Sequence, residues 1–219
     1  MLAPAPVFYL IPGLGADERV FRRLHLQGTV WILSWLAPQS PTEPLAHYAA
    51  RLAVAIPPQE VCWLVGVSFG GVLALEMARL RPLARVVLIS SVPNASALPS
   101  LLRLARNTRL YRLFPPSLLQ LMPRVAQWFF GAKNGGEYLL LQQIIQDTDP
   151  AFAQWAIRQL LNWDSRGVGP AIRLHGTRDR LLPAPGAAPI AYRIASGGHF
   201  MIVSHAAEIS RILNEIAAP

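Results

Sequence analysis

A mostly parallel six-stranded sheet, flanked by helices and interrupted by one all-helical insertion, is the fold this sequence predicts. Three observations lead to it. Short runs of Val, Ile and Leu alternate with helical patterns, as in sheets whose strands are covered on both faces. That rhythm stops between residues 94 and 166, where helical patterns punctuated by Pro99, Pro115, Pro116, Pro123 and Pro150 take over. Around residue 68 an apolar run, a glycine-flanked serine and a second apolar stretch follow one another as strand, turn and helix.

Taken in order, strands are expected at residues 7–11, 30–33, 61–65, 85–89, 171–174 and 191–194. Each is a short apolar run bounded by turn formers or charged residues. Helices are expected near residues 17–25, 45–55, 69–80 and 200–217. Residues 1–93 and 167–219 then form an α/β core, and residues 94–166 a helical cap. Within the cap, Phe152, Trp155, Ile157, Leu160, Leu161 and Trp163 make one helix apolar around much of its girth, so it needs cover. With the first strand leading straight into a glycine-rich turn, the strand at residues 30–33 is expected at the sheet edge. There Trp31 and Trp35 favour a homodimer or a covering segment.

Composition narrows the function. The 219 residues, 53% of them hydrophobic and 15% charged, suit one domain with a sizeable core rather than a disordered chain. No apolar run approaches the roughly 20 residues that cross a bilayer, so stable membrane insertion is not expected. The opening Met-Leu-Ala-Pro-Ala-Pro lacks the basic start of a signal peptide and is read as mature sequence in a reducing cytoplasm. Cys62 is the only cysteine, which excludes an intramolecular disulfide and any CxxC metal site. The net charge of +8 comes almost wholly from arginine. Arg103, Arg106, Arg109 and Arg112 form a slanting band on a helix rather than one basic face, and no nucleic-acid or nucleotide motif accompanies them. A small-molecule partner, not nucleic acid, is expected.

The sharpest chemical signal is Gly66-Val67-Ser68-Phe69-Gly70-Gly71 between a buried strand and a helix. Glycines flanking the turn let the chain reverse sharply, which projects Ser68 outward. The Phe69 amide then lies at a helix N-terminus, a setting that suits an oxyanion. A serine hydroxyl needs a base, and the base needs an orienting acid. His199, in Ser196-Gly197-Gly198-His199-Phe200, follows the last strand. Asp179, in His175-Gly176-Thr177-Arg178-Asp179, follows the one before. All three therefore fall at the same sheet edge. His175 is the rival base and Asp164 the rival acid. The turn Pro12-Gly13-Leu14-Gly15 offers the Leu14 amide as a second oxyanion donor. It lacks the third glycine of a dinucleotide fingerprint, and residue 18 is Glu.

Together these four segments, spread over nearly the whole chain, resemble the motifs of the α/β-hydrolase superfamily. The resemblance implies a helical cap after the sixth strand and cofactor-free, metal-free hydrolysis through an acyl-enzyme. Two departures stand out: the family's opening hairpin is missing, and Pro12 replaces a frequent histidine. Cleavage of a carboxylic ester or thioester is the expected reaction, with Ser68 as nucleophile, His199 as base and Asp179 as acid. Leu14 and Phe69 would supply the oxyanion hole. Carbon–carbon or amide hydrolysis, lyase chemistry, and a non-catalytic ligand-binding role use the same constellation and stay open. An acyl pocket is expected from some of Leu118, Leu121, Met122, Phe129, Phe130, Phe152 and Trp155.

Overall fold

The computed structural model describes residues 5–109, 122–184 and 189–218. Six strands form one sheet: β1 (Val7–Ile11), β2 (Thr29–Ile32), β3 (Cys62–Val67), β4 (Ala84–Ile89), β5 (Ile172–Gly176) and β6 (Tyr192–Ile194). Their order is β2-β1-β3-β4-β5-β6, and every neighbouring pair is parallel. The expected strands agree with these to within one or two residues. At the centre, β3 is buried along its whole length because β1 and β4 flank it and helices cover both faces.

The pleat divides the core in two. Tyr9, Ile11, Leu64 and Leu88 face α1 (Leu45–Ala53) and α2 (Phe69–Ala78). Phe8, Leu10, Val65, Val87 and Ile89 pack on the other side with Ile209, Ile212 and Leu213 from the C-terminal helix. Alternate residues of β1 thus serve opposite layers.

Between β4 and β5 the described residues form helices, with no strand: α3 (Ser100–Thr108), α4 (Pro123–Phe130), α5 (Gly135–Asp147) and α6 (Pro150–Leu161), after a short 3₁₀ turn at Ala95–Ala97. Leu118, Leu121 and Arg112, singled out above, lie outside the described residues.

Three expectations need correction. The helix foreseen at residues 17–25 is only a 3₁₀ turn, Glu18–Phe21. Asp17 caps it, and the amides of Val20, Arg22 and Leu24 reach back three residues rather than four. The final helix is broken into α7 (Met201–Ser204) and α8 (Ala206–Ala217), since His205 leaves helical geometry and its Nδ1 bonds to the Ser204 hydroxyl. Lastly, β2 is an exposed edge strand that ends at Ile32, short of Trp35. The Trp35 indole donates to the Ala16 carbonyl, and its ring packs on Phe69 and Phe152.

Candidate active site

Parallel strands put all their C-terminal ends on one side, and four of those ends build the site. Ser68 directly follows β3 with φ 52° and ψ −119°, a conformation costly for any residue with a Cβ. Its surroundings hold it there. The Ser68 amide donates to the Ile89 carbonyl at 2.9 Å, and the Ser91 hydroxyl donates to the Ser68 carbonyl at 2.6 Å. A Cβ at Gly66 would strike the backbone of Gly70, and one at Gly70 would strike the carbonyls of Ile11 and Pro12. Only glycine at both positions lets β3, α2 and the β1 turn approach this closely.

Beyond β5 and β6 two loops are tied together. The Thr177 amide donates to Ile194, and the Arg178 amide to Gly197. This brings Asp179 and His199 side by side, both almost fully buried. The His199 Nδ1–H donates to Asp179 Oδ2 at 2.9 Å, and Nε2 stands 2.9 Å from the Ser68 hydroxyl. A carboxylate can only accept, so the proton sits on Nδ1 and leaves Nε2 free to accept the Ser68 O–H. The other oxygen, Asp179 Oδ1, accepts from the amides of Leu181 and Leu182 at 3.0 and 2.9 Å. Both carboxylate oxygens are therefore engaged.

The structure thus brings together Ser68, Asp179 and His199, which the sequence places far apart. Neither rival takes part in that hydrogen-bonded line. Asp164 is a surface residue whose carboxyl is pulled down to about 2 by the adjacent Arg166 guanidinium. His175 lies within the same cluster but is turned away from Ser68. Its Nε2–H donates to the Leu182 carbonyl at 2.8 Å, while Nε2 stands 3.6 Å from Asp179 Oδ2. Its Nδ1 is buried without a partner, and burial pushes the imidazole below its usual range. His175 is therefore a neutral strut beneath the Asp179 loop.

Ser91 is a supporting residue that motif reading passes over. A polar residue just past a buried strand, level with the serine turn, is the signal that points to it.

The segments that carry the two amides expected at an oxyanion adjoin Ser68. As the first residue of α2, Phe69 has an N–H beyond the reach of the intrahelical ladder. The Pro12–Gly15 turn passes so close that a Cβ on Gly13 would lie 3.5 Å from the Ser68 Cβ. Leu14 is half-buried in that turn.

The aromatic residues expected near a substrate divide into two groups. Phe152 and Trp155 are buried in a cluster with Tyr48, Trp35 and Phe69, and the Trp155 indole donates to the Glu43 carbonyl. Phe130 instead sets its ring edge-on to His199, with centroids 5.5 Å apart. Phe129 is half-buried against Trp128.

Among the described residues no group of three or more His, Cys, Asp or Glu is arranged to hold a metal ion. Nor is any described helix long and apolar enough to cross a membrane.

The profile of the alpha/beta hydrolase family matches residues 8–212, and the chain belongs to that family. No curated protein sequence matches it significantly. Solved structures similar in fold include a hydrolase from Oleispira antarctica, 17% identical, with a TM-score of 0.70 over 98% of this chain and 92% of that one. A bromoperoxidase from Bacillus anthracis is 16% identical, with a TM-score of 0.71 over 96% and 91%. A thermophilic esterase from Thermogutta terrifontis is 15% identical, with a TM-score of 0.64 over 98% and 90%.

Proposed function

We propose that this protein is a serine hydrolase that cleaves a carboxylic ester or thioester through an acyl-enzyme on Ser68, without a cofactor. One observation carries the reading: an unbroken hydrogen-bonded line from Asp179 through His199 to a serine held at positive φ. Ser68 Oγ attacks the acyl carbonyl as His199 Nε2 takes its proton. Negative charge develops on the carbonyl oxygen, and the Phe69 and Leu14 amides would donate to it. His199 then passes the proton to the departing alcohol or thiol. In the second half a water molecule, deprotonated by His199, releases the acid. Asp179 stays ionised, holds the imidazole tautomer and stabilises the imidazolium that forms in each half.

In this reading residues 94–166 act as a cap, and Phe130 sets its ring against His199. The esterase among the similar folds is consistent with this, although fold alone does not choose the bond that is cut. Cys62 takes no part, because burial raises its thiol to about 11 and keeps it protonated. A reducing cytoplasm suits such a chain, and the exposed β2 edge is where a second copy would pair.

A fluorophosphonate tests the assignment. One adduct is expected, on Ser68, and none after Ser68→Ala. An adduct mapped by mass spectrometry to Ser90, Ser91 or Ser196 would overturn it. A panel of acyl esters and thioesters would then rank the leaving groups.

A further inference from the structure

We infer that the cleft between the end of α4 and the loops after β5 and β6 holds a phosphoryl group carried by the substrate. The inference rests on the serine-hydrolase reading above and adds a substrate class to it. The cleft has a volume of about 460 Å³, and its lining residues include Arg124, Lys133, Arg178 and Arg180, with no Asp or Glu among them. That volume suits a small-molecule site.

The charge is built in from two directions. On α4, Arg124, Gln127 and Trp128 recur at helical spacing, with Gly131 capping the helix end, so one face of that helix forms a wall. On the core side, Arg178 and Arg180 flank Asp179. The acid turns inward to His199, while its two neighbours are exposed and line the cleft.

An arginine-rich chain will have basic surface by chance, and many arginines outside the cleft also form no ion pair among the described residues; what sets the cleft apart is four unpaired cations gathered around one cavity. Arg19, Arg51, Arg79, Arg166 and Arg211 each form an ion pair with a carboxylate. None of the four cations in the cleft does so among the described residues. Arg180 is only fixed in place, donating to the Trp128 carbonyl at 2.9 Å with its guanidinium 4.5 Å from the Trp128 ring centre. The nearby Glu137 turns inward and accepts from the Lys133 amide and the Asn134 side chain. Four cations around one cavity repel one another, and an anion relieves that repulsion. Three of the four are guanidinium forks, which match phosphate oxygens in pairs.

The cleft also lies close to the chemistry. Gly198 forms part of its wall and immediately precedes His199. Near the end of α4, Trp128 faces the cleft while the Phe130 ring meets His199. From the cleft to Ser68 is on the order of 10 Å along one Cα–Cα step, a histidine side chain and a hydrogen bond. A substrate that uses both places therefore has its phosphoryl group separated from the scissile carbonyl by a linker that spans up to about that length.

The test compares two thioesters that differ only in the phosphate, acetyl-phosphopantetheine and acetyl-pantetheine, together with inorganic pyrophosphate. Binding to Ser68→Ala is measured by calorimetry, so nothing depends on turnover. Pyrophosphate and the phosphorylated thioester should bind with affinities that fall as salt rises. The phosphorylated thioester should bind at least about tenfold tighter than its partner. Arg124→Ala with Arg178→Ala should erase that preference, and Arg103→Ala, on exposed α3, should leave it intact.

Equal binding of the two thioesters, or a preference that survives the double substitution, would overturn the inference. If pyrophosphate bound but the phosphorylated thioester gave no protection of wild-type Ser68 from fluorophosphonate, the ligand would be a free anion and the substrate assignment would fall. A salt-dependent preference for single-stranded nucleic acid over pyrophosphate would likewise overturn it in favour of a backbone-binding groove. Absence of any Ser68 labelling would instead sink the hydrolase reading, while the calorimetry would still report on the cleft.

Discussion

Helices α4 and α6 lie in the same helical stretch between β4 and β5, one reaching His199 and the other Phe69, yet they are held by different means. α6 buries Phe152, Ala153, Trp155 and Ala156, and its aromatic rings join those of Tyr48, Phe69 and Trp35 in one of the two core clusters. α4 fully buries only Ala126. It meets the core through its end, where the Phe130 carbonyl accepts from the Phe200 amide, Gly131 packs on Gly198, and Phe130 touches His199. One helix is core material that happens to be encoded in the insertion. The other is attached at a seam. Stability and substrate choice should therefore respond to different substitutions within a single insertion.

The comparison assumes that the chemistry lies wholly in the core, and the largest expected effect tests that assumption. Asp179→Asn should leave the fold intact and lower kcat by about 10⁴, because the amide favours the wrong imidazole tautomer. Asp164→Asn, at an exposed carboxylate paired only with Arg166, should change kcat less than about twofold. A reversed ranking in steady-state assays would place the acid inside the insertion.

Next in size is the contrast between the helices themselves. Trp155→Ala removes a buried ring from the aromatic cluster and the indole bond to Glu43, and should cost about 3–5 kcal/mol in urea unfolding. Phe130→Ala removes a half-buried ring and should cost about 1 kcal/mol. Its effect belongs in selectivity. On p-nitrophenyl esters of rising acyl length, wild type should gain up to about fourfold in kcat/KM per accommodated methylene, and Phe130→Ala should flatten that slope. If Trp155→Ala altered the chain-length slope while Phe130→Ala altered only stability, the two helices would have to exchange roles.

The core was legible in the sequence, and the insertion was legible only in outline, for a physical reason. A parallel sheet writes its strands as apolar runs, and the serine turn needs glycines at 66 and 70. Ser68, Asp179 and His199 could therefore be named from position alone. Helical periodicity reveals an apolar face but not which surface covers it. Phe152 and Trp155 thus read the same way as Phe130, although two of the three pack in the core. The segment at residues 17–25 reads as a helix because Val20, Phe21 and Leu24 fit helical spacing, yet it forms only the 3₁₀ turn at Glu18–Phe21. The cleft cations were invisible as a group, since Arg124, Lys133, Arg178 and Arg180 come together only through the fold.

The smallest expected effect separates the polar scaffold of the core from both helices. His175 sits under the Asp179 loop, where burial holds its imidazole below the usual range and its Nε2–H bonds to Leu182. A base whose folded pKa is depressed binds fewer protons folded than unfolded. Its contribution is therefore complete above the unfolded value, about 6.5, and is lost as pH falls toward the folded one. His205 is shifted the same way by burial, so some acid sensitivity will remain without His175. His175→Gln keeps a donor for the Leu182 carbonyl and removes the titration. It should lower Tm slightly at pH 8 yet make the decline in Tm from about pH 7 to pH 5 shallower than in wild type. Neither α4 nor α6 carries a histidine, so Trp155→Ala should displace the same curve downward without changing its slope. Parallel Tm–pH curves for wild type and His175→Gln, measured by scanning calorimetry, would show that the buried imidazole does not set the acid limit. The loss of stability between pH 7 and pH 5 would then fall to His205, because a carboxylate such as Glu43, held below its usual range by its bonds to Gln39, His47 and Arg51, acts only below about pH 5.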